Sequence, residues 1–193
     1  MSDEPAAKKP KTDDEENGEA EPTGWEDHQL NISEMVMKAD EGRHLTDLVK
    51  DEVSTLQGIG PFSATVLSAL NIKSIAELAK YKYFLWARSL KTLAETETEG
   101  GRPEDSPMNV DHAVDKEYEG KSLKEICEAP TEALEGIVAD ACELLESLGV
   151  KSIGDLAEFK YCRWAEAIVH AAEFEETKTM KERKLEAALK KLA

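Results

Sequence analysis

Residues 56–94 read LQGIGPFSATVLSALNIKSIAELAKYKYFLWARSLKTLA, and residues 134–172 read LEGIVADACELLESLGVKSIGDLAEFKYCRWAEAIVHAA. Both follow one plan: a glycine turn, a helix, a break at Asn71 or Gly149, a serine-capped helix start, then an aromatic helix. Extended to residues 26–97 against 104–175, an ungapped offset of 78 leaves 25 of 72 positions identical. The densest identities are Lys73-Ser74-Ile75 with Lys151-Ser152-Ile153, Lys82-Tyr83 with Lys160-Tyr161, and Trp86-Ala87 with Trp164-Ala165. Self-similarity at one fixed offset marks an internal duplication, so both copies are expected to form the same unit.

The expected unit is helical. Ser74 to Glu77, Ser122 to Glu125 and Ser152 to Asp155 carry the capping-box spacing, in which each side chain satisfies a free amide of the first turn. Asn71 and Gly149 suit the left-handed residue that ends a helix. Pro130-Thr131 suits a helix start, with Ala133, Leu134 and Ile137 as its apolar side. Ala64, Leu67 and Leu70 recur at helical spacing, as do Tyr83, Trp86, Ala87, Leu90 and Ala94. The second series predicts an inner stripe rather than a binding platform. Residues 25–41 fit either a short helix, capped at Ser33 or at its counterpart Asp111, or an extended arm.

The expected class is all-α. Residues 1–24 form an acidic tail too poor in large apolar side chains to fold. Repeat 1 covers 25–97, a joint covers 98–103, repeat 2 covers 104–175, and a basic amphipathic helix covers 176–193. In that last segment Leu185, Ala188, Leu189 and Leu192 form a stripe, and Glu186 with Lys190 an i,i+4 pair. It suits packing on an acidic repeat or docking on a partner.

Composition limits the job. Forty-one acidic residues against 24 basic give a formal net charge of −17, which repels phosphate backbones unless charge is unevenly placed. It is uneven: repeat 1 has eight basic and eleven acidic residues, repeat 2 six and eighteen. No apolar run approaches membrane length, and the polar, acidic N-terminus predicts no secretory signal. Cys127, Cys142 and Cys162 have no Cys-x-x-Cys spacing and stand where repeat 1 has Val49, Ala64 and Phe84. That substitution pattern predicts core thiols in a reducing compartment. The Asn31-Ile32-Ser33 sequon is then not expected to carry a glycan.

Gly58, Ile59, Gly60, Pro61, Ala64, Leu67, Leu70, Ile72 and Leu78 fill a pattern that resembles the helix-hairpin-helix motif. The likeness covers about 24 residues and is clearer in repeat 1, since repeat 2 has Val138, Ala139 and Asp140 for Gly60, Pro61 and Phe62. It implies sequence-independent contact between hairpin amides and a nucleic-acid phosphate. Gly58, Gly60 and Ser63 would make that contact, supported by Lys73, Lys80, Lys82, Arg88 and Lys91. Such units also serve as protein-contact modules, and the charge favours that use. PAAKKPKTD, with Lys8, Lys9 and Lys11, is similar to the basic nuclear-import signal of Myc proteins, PAAKRVKLD, and implies import.

No P-loop, nucleophile elbow or zinc spacing is present. None of His28, His44, His112 and His170 aligns with another across the repeats, so Glu26-Asp27-His28 and Asp111-His112 read as surface. No enzyme activity, metal or cofactor is expected. The expectation is a protein-interaction or scaffold module whose partner is another protein. Its place is intracellular, the nucleus before the cytoplasm. Nucleic-acid binding through Gly58-Ile59-Gly60-Pro61 is the alternative, and no membrane partner is expected.

Overall fold

Local chemistry sets where each helix starts and stops. The computed structural model describes residues 30–98, 100, 103 and 105–191. The acidic tail, the Lys8, Lys9 and Lys11 cluster, and Glu26-Asp27-His28 lie outside them. The first half holds α1 (Leu45–Leu48), α2 (Pro61–Ala69), α3 (Ile75–Ala79) and α4 (Lys82–Ala94). The second holds α5 (Leu123–Glu128), α6 (Ala139–Ser147), α7 (Ile153–Ala157), α8 (Lys160–Ala172) and α9 (Met180–Lys190). Among the described residues there is no β-strand, only isolated bridges, and the fold is all-α. The bounds of α6, α7 and α8 are those of α2, α3 and α4 moved by 78 residues.

The ends of α2 and α6 are set by Asn71 at φ 61° and Gly149 at φ 85°. Each places the next amide on a carbonyl one turn back, Ile72 on Leu67 at 2.9 Å and Val150 on Leu145 at 3.0 Å. Both α3 and α7 then begin on complete capping boxes at Ser74–Glu77 and Ser152–Asp155. The Glu77 carboxyl lies below its usual range because the Lys73 and Ser74 amides donate to its anion.

Residues 30–41 form an arm rather than an α-helix. Val36 is buried and bridges Leu56, with Met37 N donating to Thr55 O at 2.8 Å and Gln57 N to Met35 O at 2.9 Å. Val114 and Leu134 repeat the arrangement. Ser33 caps no α-helix, and Asp111 opens only a 3-10 turn, Asp111–Ala113. Thr131–Ala133 is likewise a 3-10 turn, because Leu134 is drawn extended (φ −81°, ψ 127°) into its bridge with Val114.

The long helices make their main packing contacts across the repeats. α4 lies on α5 and α7 of the second half, and α8 lies on α1 and α3 of the first. One core therefore crosses both halves, including Leu48, Leu78, Phe84, Ile126, Leu156 and Ile168. Each such side chain contributes about 1.5–3 kcal/mol on full burial. The exchange is reciprocal, as in an isologous pair. Glu97, beyond α4, accepts from the Leu123 and Lys124 amides of α5 at 2.8 and 3.0 Å. Its counterpart Glu175, beyond α8, accepts from Leu45 and Thr46 of α1 at 2.9 and 2.8 Å. Arg88 is ion-paired with Glu166, its own counterpart. A residue meets its equivalent only where the relating axis passes, so a pseudo-two-fold axis runs between α4 and α8 there.

α9 is capped by Thr179 and Glu182, and none of its residues is buried. All of its residues except the half-buried Glu186 are exposed, so among the described residues neither repeat covers it. No helix among the described residues is long and apolar enough to cross a membrane.

Candidate functional site

The two glycine turns keep one backbone position and release another. Gly58 and Gly136 have φ of 95° and 77°, the left-handed region that favours glycine. Gly60 has φ −78° and ψ 175°, which any residue adopts. A Cβ added there would meet nothing within 4 Å. Val138 occupies the equivalent place at φ −96°. The preserved glycine is thus a backbone requirement, and the lost one is not.

A tyrosine from the opposite repeat closes each turn. Tyr83 Oη donates to Gly136 O at 2.5 Å. A Cβ built on Gly58 would stand 2.8 Å from Tyr161 Oη and 3.9 Å from Lys160 Nζ. Each tyrosine sits in an aromatic cluster of its own repeat, and the two clusters are alike. Tyr83 meets Trp86 edge-on at 5.8 Å between centroids, with Lys82 Nζ 4.4 and 5.0 Å from the two rings. Tyr161 and Trp164 stand at 5.7 Å, with Lys160 at 4.8 and 5.0 Å. The ring faces attract the ammonium groups and hold them near the turns.

The residues singled out in the sequence fall into separate places. Gly58, Gly60 and Ser63 share the first turn and the start of α2. Lys73 precedes α3, and its amide donates to Glu77. Lys80 and Lys82 line a groove with Asn71, Ile72 and Glu77 at the α3–α4 corner. Arg88 spends its charge on Glu166 at the axis. Lys91 lies in a groove between the repeats with Glu95, Lys124, Glu128 and Glu158. The cation nearest the Gly58 turn is one that sequence reasoning did not pick, Lys160 of the other repeat. Its signal is the preserved Lys-Tyr pair, Lys82-Tyr83 with Lys160-Tyr161, of which only Lys82 was expected to meet phosphate.

The three cysteines are buried. Burial pushes the Cys162, Cys127 and Cys142 thiols up, disfavouring the reactive thiolate. His44 lies 3.2 Å from Glu175, and His170 lies beside Glu166 and Glu173. Among the described residues no three His, Cys, Asp or Glu side chains gather as a metal site. Apolar side chains do stand in solvent. Phe62 is 64% and Val138 65% exposed, and Phe62 and Val66 face Asp140, Glu143 and Leu144 across a groove between α2 and α6. Comparison with protein-family models, curated proteins and solved structures finds no match.

Proposed function

We propose that the chain is a non-enzymatic protein-interaction scaffold, two helix-hairpin-helix-like units closed on each other about a pseudo-two-fold axis. The observation that carries this reading is the internal engagement of the first hairpin, where Tyr161 packs against Gly58. The ion pair of Arg88 with Glu166 adds to it. A net charge of −17 opposes phosphate, while Phe62 and Val138 offer apolar surface that a protein partner buries. The partner is another protein met inside the cell, in the nucleus if Lys8, Lys9 and Lys11 direct import. Affinity purification with cross-linking mass spectrometry, comparing the natural chain with Phe62→Asp/Val138→Asp, tests it. The expected result is a partner cross-linked near α2 and α6 and lost in the variant. An unchanged cross-link map refutes the assignment.

One observation favours a second reading. Lys160 stands beside the Gly58 turn, and the space at Gly60 is open, so a phosphate has an amide and a cation within reach. A salt titration against duplex and single-stranded DNA tests it. Binding that weakens steeply with salt, and is lost in Gly60→Val and Lys160→Gln, supports this second reading. No binding at low salt ends it.

A further inference from the structure

Two unpartnered surfaces of this chain are complementary to each other. The first is α9. Leu185 and Leu189 are 62% and 58% exposed and one turn apart on the same face. Lys181, Arg183 and Lys184 of that helix make no ion pair among the described residues. Residues 177–193 carry six basic and two acidic side chains. The second is the groove between α2 and α6, apolar along Phe62, Val66 and Leu144 and acidic at Asp140 and Glu143. Among the described residues no basic side chain lines it. We propose that α9 of one copy docks in the α2–α6 groove of a second copy of this chain.

Length, charge and reach all favour that occupant. α2 and α6 have nine residues each, about 13 Å, and the eleven of α9 run about 16 Å. An i,i+4 leucine pair on Phe62 leaves the flanking lysines facing Asp140 and Glu143, in the helix-in-groove manner. The same copy cannot present α9 so readily. Tyr161, near the start of α8, lies at the Gly58 turn beside the groove, whereas Glu175, beyond its far end, is held on α1. The thirteen residues of α8 span about 20 Å. Residues 176–179 reach about 14 Å fully extended, less than the length of α8, which makes a second copy's groove the easier one for α9 to enter. Helix and groove are different surfaces, so the contact is heterologous. It closes if two copies exchange helices and otherwise runs on as a chain. This interface goes beyond the scaffold reading and does not rest on it: a protein partner seated on α2 and α6 would compete with α9, and the purified chain studied alone separates the two.

Sedimentation velocity of the full chain over about 1–300 µM, a range that brackets weak and moderate self-association, tests the proposal. The natural chain is expected to self-associate, less so as salt rises. Leu185→Asp/Leu189→Asp and Phe62→Asp each raise the dissociation constant about tenfold or more, with the far-ultraviolet circular dichroism unchanged. The decisive arm mixes the two variants, since one keeps an intact groove and the other an intact helix. A one-to-one complex forms in the mixture at concentrations where each variant alone is monomeric. A natural chain that is monomeric throughout overturns the proposal, including the case in which α9 folds back on its own copy. So does a mixture that stays monomeric, or a leucine variant that associates like the natural chain.

Discussion

Repeat 1 and repeat 2 solve the same local problems with different side chains, and the differences separate what the fold requires from what it tolerates. Both start their first helix on a glutamate donated by the other repeat. Repeat 2 adds its own capping box at Ser122 and Glu125, whereas repeat 1 has His44, which makes no cap bond to the helix amides. Arg43 holds Asp40 at 2.7 Å and Asp51 at 2.5 Å. Lys121, its counterpart, lies 5.3 Å from the Tyr118 ring instead, so an ion pair has been exchanged for a cation–π contact. The glycine with positive φ and the crossing tyrosine occur in both repeats. These invariants belong to the closure of one repeat on the other.

The sharpest way to break the comparison is at the turns. Gly58→Ala combines a left-handed alanine with overlap on Tyr161 and should cost about 2–3 kcal/mol in urea unfolding. Gly136→Ala, whose Cβ would clear Tyr83 Oη at 3.9 Å, should cost about 1 kcal/mol. Gly60→Ala should stay within about 0.5 kcal/mol. Equal losses at Gly58 and Gly60 would refute the backbone explanation.

Next come the donated caps. Glu175→Ala should cost about 2 kcal/mol, and Glu97→Ala about 1 kcal/mol because Ser122 still caps α5. Burial pushes the Glu175 carboxyl up, but the Thr46 and Leu45 amides more than reverse this, leaving it below its usual value. The folded pKa is thus below the unfolded one. The stabilisation is complete above the unfolded pKa and is lost as pH falls through the folded value. Glu175→Gln should flatten that acid limb in thermal melts across the carboxylate range.

At the axis, Arg88→Glu sets two glutamates face to face and should cost about 1–2 kcal/mol. The swapped pair Arg88→Glu/Glu166→Arg should recover most of it, and strict additivity of the two single changes would contradict the contact. The smallest effect is a gain. Burial pushes the Tyr81 phenol up, and its hydroxyl has no hydrogen-bond partner among the described residues. Phe159 is its counterpart. Tyr81→Phe should therefore stabilise by about 0.5 kcal/mol, read as a rise in Tm.

Helix limits were legible because their signals are local: Ser74, Ser152 and Ser122 with their acidic partners, and Asn71 and Gly149 as stops. The inner stripe of α4 was legible from spacing, although it faces another repeat rather than its own. Neither periodicity nor offset says which copy a helix buries against, since equivalent residues supply equivalent surfaces. That is why Lys160, rather than a repeat 1 lysine, stands at Gly58, and why Arg88, expected to support phosphate contact, is ion-paired with Glu166 instead. The 3-10 turn at Thr131 was misread as a helix because its competitor, the Val114–Leu134 bridge, lies twenty residues apart in sequence. The exposure of α9 could not be read at all, as its stripe suits either a repeat or a partner.

The donated glutamates also set a timetable. The α1 amides at Leu45 and Thr46 wait for a carboxylate 130 and 129 residues further on. At about 5–20 residues per second of synthesis, that is about 6–26 s during which α1 lacks its cap and the faces that α8 will cover stay open. The contacts of α8 with α1 and α3 lie at long sequence separation, which slows folding relative to a bundle of adjacent helices. Neither repeat holds a complete core, so the two should melt in one transition. A nascent first repeat is an open surface waiting for its second half.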